Sequence, residues 1–493
     1  MPQTVRIHLQ PLGRTLELPS GSSLQEALFD FGVEFPCGGL GLCKGCRVKV
    51  LAGQVPPSEE DRAAFEPGEI QQGWRLACRL RPQQDLTLEI AQWETPVLAG
   101  RAAFSFTPRQ GAGVAVDLGT TTIAAQAVDL GTGHVTGTRT ALNPQAAWGS
   151  DVMSRIQAAT EGRLAGQLTH SVRSRVGEMV SELAAEADLR DVVVVGNTVM
   201  HHLFCGLDVE PLSHVPFESP NGGLVLLNHS ALPWLKEPAT LRFLPCLGGF
   251  VGSDILAGIL ATGLHQSAEP ACLIDLGTNG EIVIGNQERM LCASTAAGPA
   301  FEGGRIRMGM RADTGAIWRI ERVAQGFECR VLGGGPPRGI CGSGLVDAAA
   351  AGLDLGVLEP SGRLKQGEWL LAGAVRLFQA DIRQLQLAKA AVAAAIHILL
   401  GRLGLSPQDI ARVYLAGAFG NYIRPSTARR IGLLPFAEAA ILPSGNTALL
   451  GAKMALFDGG DYADLRARIE HVPLAADPNF QDWFAASIPF PSS

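Results

Sequence analysis

Two stretches of the 493-residue chain decide the fold: Gly113-Val-Ala-Val-Asp117-Leu-Gly119-Thr120-Thr121-Thr122-Ile-Ala-Ala, and later Ala271-Cys-Leu-Ile-Asp275-Leu-Gly277-Thr278-Asn279-Gly280-Glu281-Ile-Val-Ile. Each reads as an apolar strand, an Asp-Leu-Gly-Thr turn and a second apolar strand. One such hairpin is a common β-turn. Two in one chain are an internal repeat, which predicts two similar half-domains. Glycine and threonine at a tight turn offer N–H and hydroxyl donors to phosphate oxygens. An aspartate at each strand end suits Mg²⁺, which keeps several waters and takes few carboxylates. Asp117 and Asp275 are therefore the candidate catalytic carboxylates. The phosphate contacts fall to Gly119, Thr120, Thr121, Thr122, Gly277, Thr278, Asn279 and Gly280.

A third element follows, Val413-Tyr-Leu-Ala-Gly417-Ala-Phe-Gly420-Asn421. A buried strand ends there in small residues, and Gly417 and Gly420 leave room for a flat adenosine. In this order the three elements resemble the ASKHA superfamily of acetate and sugar kinases, Hsp70 and actin. ATP with Mg²⁺ is the ligand this implies.

Ahead of the repeat lies a different chemistry. TVRIHL (4–9) and RTLEL (14–18) alternate apolar and polar around Pro11-Leu12-Gly13 and predict a β-hairpin. A capped helix is expected from Ser22-Ser23 to about Phe31. The loop Cys37-Gly-Gly-Leu-Gly-Leu-Cys43-Lys-Gly-Cys46 follows, then a strand over 47–53, and later Cys78. Three close cysteines and one distant one are the plant-type [2Fe–2S] layout, C-x4-C-x2-C…C, here with a first gap longer by one residue. That longer gap resembles the adrenodoxin-like branch. Gly38, Gly39, Gly41 and Gly45 let the backbone wrap closely round a cluster. Zinc is the rival, but zinc knuckles favour paired CxxC motifs or Cys/His sets. Only Cys43/Cys46 form a CxxC, and the nearest histidine is His8. Cys37, Cys43, Cys46 and Cys78 are the expected cluster ligands, and a cluster of this type sits near about −400 mV.

Composition bounds the rest. The chain is 46% hydrophobic and 18% charged, with 59 glycines and a net charge of −7. It reads as a glycine-rich globular protein whose acidity argues against nucleic acid as partner. No basic-then-apolar secretory leader opens it. The apolar run 388–400 is interrupted by Lys389 and His397 and reads as a core helix, not a membrane span. Cys205, Cys246, Cys272, Cys292, Cys329 and Cys341 stand mostly in apolar runs and read as core residues. Together these point to the reduced cytosol. Residues 171–187 carry apolar positions at helical spacing and predict a core-facing helix.

Further stretches narrow the resemblance: Asn143-Pro-Gln145 through Gly149, Asp151 and Arg155; Gly196-Asn-Thr198-Val-Met-His201-His202; Gly248 through Asp254; Ala296-Ala-Gly298-Pro-Ala-Phe-Glu302; Gly339-Ile-Cys-Gly342-Ser-Gly344; and Gly445-Asn-Thr-Ala-Leu-Leu-Gly451. With the cysteine loop, they resemble the reductive activators of corrinoid-dependent enzymes over nearly the whole chain. The resemblance implies a multidomain α/β and α+β protein. An N-terminal β-grasp ferredoxin-like domain (1–92) and a linker (93–112) precede a duplicated, ribonuclease-H-like ASKHA fold (113–270 and 271–493).

It implies that ATP drives one electron from the cluster to an inactive Co(II) corrinoid protein or methyltransferase, restoring Co(I). An external low-potential donor would reload the cluster. It adds Gly342, Ser343 and Gly344 to the nucleotide site. Asp254 is either a helix N-cap or a carboxylate orienting the attacking water. His201 and His202 read as packing or helix-start residues, and Glu302 as a loop residue near nucleotide or partner. A homodimer is a further option, since ASKHA relatives often dimerise. Two departures are expected: no extra domain between linker and nucleotide fold, and no C-terminal [4Fe–4S] module, since Cys341 is the last cysteine. A small-metabolite kinase and an ATP-gated binding protein, each with a ferredoxin domain, are the competing functions.

Overall fold

The computed structural model describes residues 4–10, 14–24, 27, 28, 31, 33, 41, 46–90, 106–149, 151–185, 187–277, 279–310, 312, 315–323, 326–332, 335–420 and 423–492. The turn at 11–13, most of the helix expected near 22–31, Cys37, Cys43 and most of the linker lie outside them. Two compact units result: Met1–Ala261 with Asn446–Arg466, and Thr262–Gly445 with Ala467–Ser493.

The first unit opens on a five-stranded sheet, β1 (Thr4–Gln10), β2 (Arg14–Pro19), β3 (Arg47–Ala52), β4 (Trp74–Leu76) and β5 (Leu86–Ile90), in the order β2-β1-β5-β3-β4. The expected hairpin forms with Leu9 opposite Arg14, and β1 runs parallel to β5. Alternation explains the face: Val5, Ile7 and Leu9 are buried between exposed neighbours. The short helix Glu59–Ala64 starts on a capping box between Ser58 and Asp61. Asp61 Oδ1 also accepts the Leu76 N–H at 2.7 Å, which fixes β4 two residues before Cys78.

A six-stranded sheet follows in the same unit: β6 (Ala112–Leu118), β7 (Thr122–Asp129), β8 (Val135–Leu142), β9 (Leu189–Val195), β10 (Val225–Leu227) and β11 (Thr240–Phe243), ordered β10-β11-β9-β6-β7-β8. The β6-β7-β8 meander is antiparallel, and β9 and β11 add in parallel. The central strands are near-continuous apolar runs because both faces are covered. The predicted core helix is Ala165–Leu183, beginning earlier than expected because Leu168 also faces the core.

The second unit repeats the plan with β12 (Ala271–Leu276), β13 (Gly280–Gly285) and β14 (Met290–Thr295). It adds a three-stranded sheet of β15 (Ala316–Val323), β16 (Gly326–Val331) and β17 (Gly339–Ile340), and a hairpin of β18 (Glu368–Ala372) and β19 (Val375–Phe378). It closes with β20 (Arg412–Ala416), β21 (Ile441–Gly445) and β22 (Ile469–His471). Its main sheet is ordered β21-β20-β12-β13-β14-β22. β12-β13-β14 matches β6-β7-β8, and the parallel β20 and β21 match β9 and β11. The duplication read from the two hairpins is thus a duplication of topology.

The apolar run near 388–400 belongs to the helix Gln379–Leu403. It is long and apolar enough to cross a membrane, yet most of it is buried, packed on helix Phe480–Ser487 and on β13 and β14. Late in the chain, Asn446–Arg466 packs with the first unit. Helix Thr447–Phe457 lies on β6 and β9, and a Cβ at Gly113 would meet Leu456 at 2.8 Å. Arg242 binds the Ala455 carbonyl at 2.5 Å and the Asp458 carbonyl at 2.9 Å.

Candidate functional site

Cys46 directly precedes β3, and Cys78 sits in the turn Ala77–Arg79 that follows β4. Antiparallel pairing of Arg47 with Leu76, and the Ala77 N–H to Cys46 carbonyl bond at 2.9 Å, bring the two cysteines side by side. Both are buried. A hydrogen bond shared with the Cys46 sulfur brings the Cys78 thiol down to about 7. Arg79 and the Gly41 N–H help, against burial and Asp61. Gly41 has φ +76°, and a Cβ there would strike Arg79 Nε and Glu60 Cγ, both at 2.9 Å. Arg79 pairs with Glu60 at 3.0 Å over that spot. Two adjacent thiols, one readily ionised, with a backbone N–H aimed at sulfur, suit thiolate ligation of an iron–sulfur cluster. The other two expected ligands, Cys37 and Cys43, lie outside the described residues. His8 is no partner to this corner. It is exposed on β1 and bonds to Thr15 at 2.8 Å, with β5 between β1 and β3.

In the first nucleotide sheet, Asp117 is near the end of β6 and Thr122 starts β7. All three carbonyls of the intervening turn are held from behind. Asn143 Nδ2 donates to the Gly119 carbonyl at 2.9 Å, Arg155 Nη2 to that of Thr120 at 2.5 Å, and the Asn143 N–H to that of Thr121 at 2.8 Å. In a trans peptide the C=O and the next N–H point opposite ways. The Thr120 and Thr121 N–H groups therefore face away from this scaffold, and neither has an acceptor among the described residues. Consecutive free N–H groups of this kind form an anion-binding nest.

The Thr120 hydroxyl is oriented by Asn197 Nδ2 at 2.9 Å. Asp117 Oδ2 accepts from Asn446 Nδ2 at 2.9 Å. Burial pushes the Asp117 carboxyl up to about 6, with Asn446 opposing. Asp254 lies in the first turn of helix Ser253–Thr262, so it is not the N-cap. Ser253, buried, binds Gly196 through its N–H at 2.9 Å, and its Oγ accepts the Gly196 N–H at 3.1 Å. That loop carries Asn197, so the structure brings Asp254 to the same end of the sheet as the hairpin.

In the second unit Asp275 is near the end of β12, the Gly277 N–H binds the Asn279 carbonyl at 2.9 Å, and Gly280 opens β13. Thr278 lies outside the described residues, as does Asn421. Gly417 has φ +82°, and a Cβ there would fall inside contact distance of Asp275 Oδ1. The glycine turn after β20 thus closes directly on the second carboxylate. Gly420 ends that turn, its Cβ position 3.1 Å from Leu415 Cγ. Phe419 stacks on Phe301 at 4.6 Å, so the 298–304 loop does reach the Gly417–Gly420 turn, with Glu302 exposed.

Helix Gly342–Asp354 starts beside Phe419, and a Cβ at Gly342 would meet Phe419 Cε2 at 3.0 Å and overlap the Phe301 carbonyl. Ser343 and Gly344 have packing duties. The Ser343 hydroxyl donates to the Trp318 carbonyl at 2.9 Å, and Gly344 makes room for the Ile317 carbonyl.

His201 and His202 are fully buried in helix Thr198–Cys205, in keeping with a packing role. Burial raises the thiols of Cys205, Cys246, Cys272, Cys292, Cys329 and Cys341, in keeping with inert packing residues; Cys205 and Cys329 are half-buried against the cores and the other four are buried. Four polar residues that grip the first hairpin, Asn143, Arg155, Asn197 and Asn446, were not among the predicted site residues. Their signal was present: each stands in one of the short motifs quoted above.

Fold and site define a protein class: a duplicated, ribonuclease-H-like nucleotide-binding fold behind an N-terminal iron–sulfur domain. Comparison with known families agrees segment by segment. Residues 7–83 match the 2Fe-2S iron-sulfur cluster binding domain, 112–267 the RACo middle region, and 269–493 the C-terminal domain of RACo, the ASKHA domain. The corrinoid activation enzyme RamQ of Eubacterium limosum is 34% identical over 417 residues, 77% of this chain and 70% of that protein. The Co(II) methylated amine-specific corrinoid protein reductase of Methanosarcina barkeri is 26% identical over 77% of each chain. A solved reductive activator for corrinoid, iron-sulfur protein superposes with a TM-score of 0.67 at 27% identity, over 99% of this chain and 98% of that one. The chain belongs to the family of reductive activators of corrinoid proteins. One expectation is overturned: no middle region is missing, because 112–267 is that region.

Proposed function

We propose that this protein returns one electron to a corrinoid protein or corrinoid-dependent methyltransferase stranded as Co(II), restoring nucleophilic Co(I), and that ATP drives the transfer. The observation that carries this reading is the pairing in one chain of the Cys46/Cys78 corner with a turn whose carbonyls are all anchored and whose N–H groups are free. When bound, the cluster supplies a one-electron carrier near about −400 mV. The Co(II)/Co(I) couple lies at or below that, so the step needs a second energy source. Nucleotide binding that favours a transfer-competent state supplies it by shifting populations.

In this reading Cys37, Cys43, Cys46 and Cys78 hold the cluster. The Thr120 and Thr121 amides and the Gly277–Gly280 turn hold phosphates, and Asp117 and Asp275 hold Mg²⁺ through water. The Gly417–Gly420 turn borders the adenosine, and Asp254 orients water. Gly342, Ser343 and Gly344, at the start of helix Gly342–Asp354, border the nucleotide, with Ser343 and Gly344 also packing on the Trp318 and Ile317 carbonyls. The electron balance closes with an external low-potential donor that re-reduces the cluster after each transfer.

The test is Cys78→Ser beside the wild type. The variant should lose the dithionite-bleachable [2Fe–2S] absorption and all reduction of a Co(II) corrinoid protein, yet still bind ATP. Undiminished Co(II) reduction by a clusterless variant would sink the proposal.

A further inference from the structure

Arg155 is fully buried, its guanidinium set behind the first hairpin and not at the surface. Nε donates to the Gly149 carbonyl at 2.9 Å, Nη1 to Gln145 Oε1 at 3.3 Å, and Nη2 to the Thr120 carbonyl at 2.5 Å. Nη1 also approaches Met200 Sδ at 3.5 Å. Every one of these partners is neutral. Among the described residues no carboxylate forms an ion pair with it. Asp151 acts only at longer range, and its Oδ1 caps the helix by accepting the Ser154 N–H at 2.8 Å. Burial loosens the guanidinium's hold on its proton, down to about 10.

A buried cation that no carboxylate contacts is costly even with Asp151 acting from a distance, and interiors avoid it unless a closer charge partner exists. The geometry supplies a place for one. The carbonyl that Arg155 grips belongs to the same peptide as the Thr121 N–H, which points the opposite way and has no acceptor among the described residues. A cation on the carbonyl end of a peptide polarises the N–H end toward an anion. Asn143 does the same, without charge, for the Thr120 N–H through the Gly119 carbonyl.

We propose that Arg155 is the electrostatic positioning residue of this hairpin: it fixes the Thr120–Thr121 peptide with its N–H outward and lends a buried positive charge to the phosphate bound there. The inference rests on the reading of the hairpin as an ATP site. It adds the counter-charge that the triphosphate meets from behind the turn.

The experiment is equilibrium binding of ATP, ADP and adenosine to the cluster-loaded protein, for the wild type, Arg155→Lys, Arg155→Met and Gln145→Glu. Arg155→Met should weaken ATP at least about tenfold, ADP less and adenosine not at all, since a hydrogen-bonded charge is worth that much. Arg155→Lys keeps the charge and should recover most of the ATP affinity. Gln145→Glu leaves the guanidinium in place but neutralises it, and should also weaken ATP while sparing adenosine. This variant carries the test if Arg155→Met does not fold.

Equal weakening of ATP and adenosine would reduce Arg155 to packing and overturn the proposal. So would ATP affinity that matches the wild type in every variant. A wild type that binds no ATP would instead overturn the nucleotide reading beneath it.

Discussion

Asn446 Nδ2 donates a 2.9 Å hydrogen bond to Asp117 Oδ2 across 329 residues of sequence, while its Oδ1 accepts the Leu449 N–H at 2.8 Å. One carboxamide therefore caps helix Thr447–Phe457 and fixes the rotation of the first carboxylate. Asn446→Ala removes both functions. Loss of the cap should cost about 1 kcal/mol, and Mg-ATP binding should weaken as Asp117 turns free. Asn446→Asp keeps the cap but sets a like charge against Asp117, so it should bind Mg-ATP worse than the alanine variant while melting higher. Thermal unfolding and nucleotide titration, run side by side on both variants, check this.

Asp117 itself trades stability for binding. Its carboxyl titrates near 6 in the fold, against an ordinary 3.8. Between these values the native protein keeps a proton that the unfolded chain has released. Stability therefore falls as pH rises through that window, by about 3 kcal/mol at most above pH 6. Asp117→Asn removes the penalty. The nucleotide-free variant should melt above the wild type at pH 7.5, and saturating Mg-ATP should raise its melting temperature far less than it raises the wild type's.

Gly417→Ala probes the second carboxylate. A methyl group there meets both a left-handed backbone (φ +82°) and Asp275 Oδ1. The strain should cost about 1–3 kcal/mol, and displacing Asp275 should lower ATP affinity beyond the loss in stability. Gly263→Ala, left-handed at φ +68° with open space around it, is the control: it should lose stability alone.

His201 predicts a loss of stability in acid. Burial, then His202, push it down to about 4. Nε2 donates to the Gly223 carbonyl at 3.0 Å, and Nδ1 has no partner among the described residues to receive a second proton. The unfolded histidine takes up that proton near 6.5, while the native one does not until about 4. Stability is therefore full above pH 6.5 and falls as pH drops toward 4, by on the order of 3 kcal/mol. His201→Phe should flatten the profile over that interval in denaturant melts.

The hairpins were legible because strand periodicity and a glycine turn are local signals. The cysteine spacing was equally local, and it marked Cys46 and Cys78 before pairing of β3 with β4 brought them together. What stayed hidden depends on contacts between distant segments. Nothing periodic announces that Asn446 reaches Asp117, or that Arg155 grips the Thr120 carbonyl. The return of Asn446–Arg466 to the first unit was hidden for the same reason, since an apolar helix does not say which sheet it covers. Ser343 and Gly344 show the opposite ambiguity. Small residues at a helix start fit a phosphate or a close backbone, and here they meet the Trp318 and Ile317 carbonyls.

The central claim is that ATP and the cluster act together on a corrinoid. The most direct measurement mixes the pre-reduced protein with a Co(II) corrinoid protein, with and without Mg-ATP, and follows the Co(I) absorption band. The account predicts Co(I) formation that requires ATP and is lost in Cys78→Ser and in Asp117→Asn. Co(I) at the same rate without ATP, or none with it, would contradict the account.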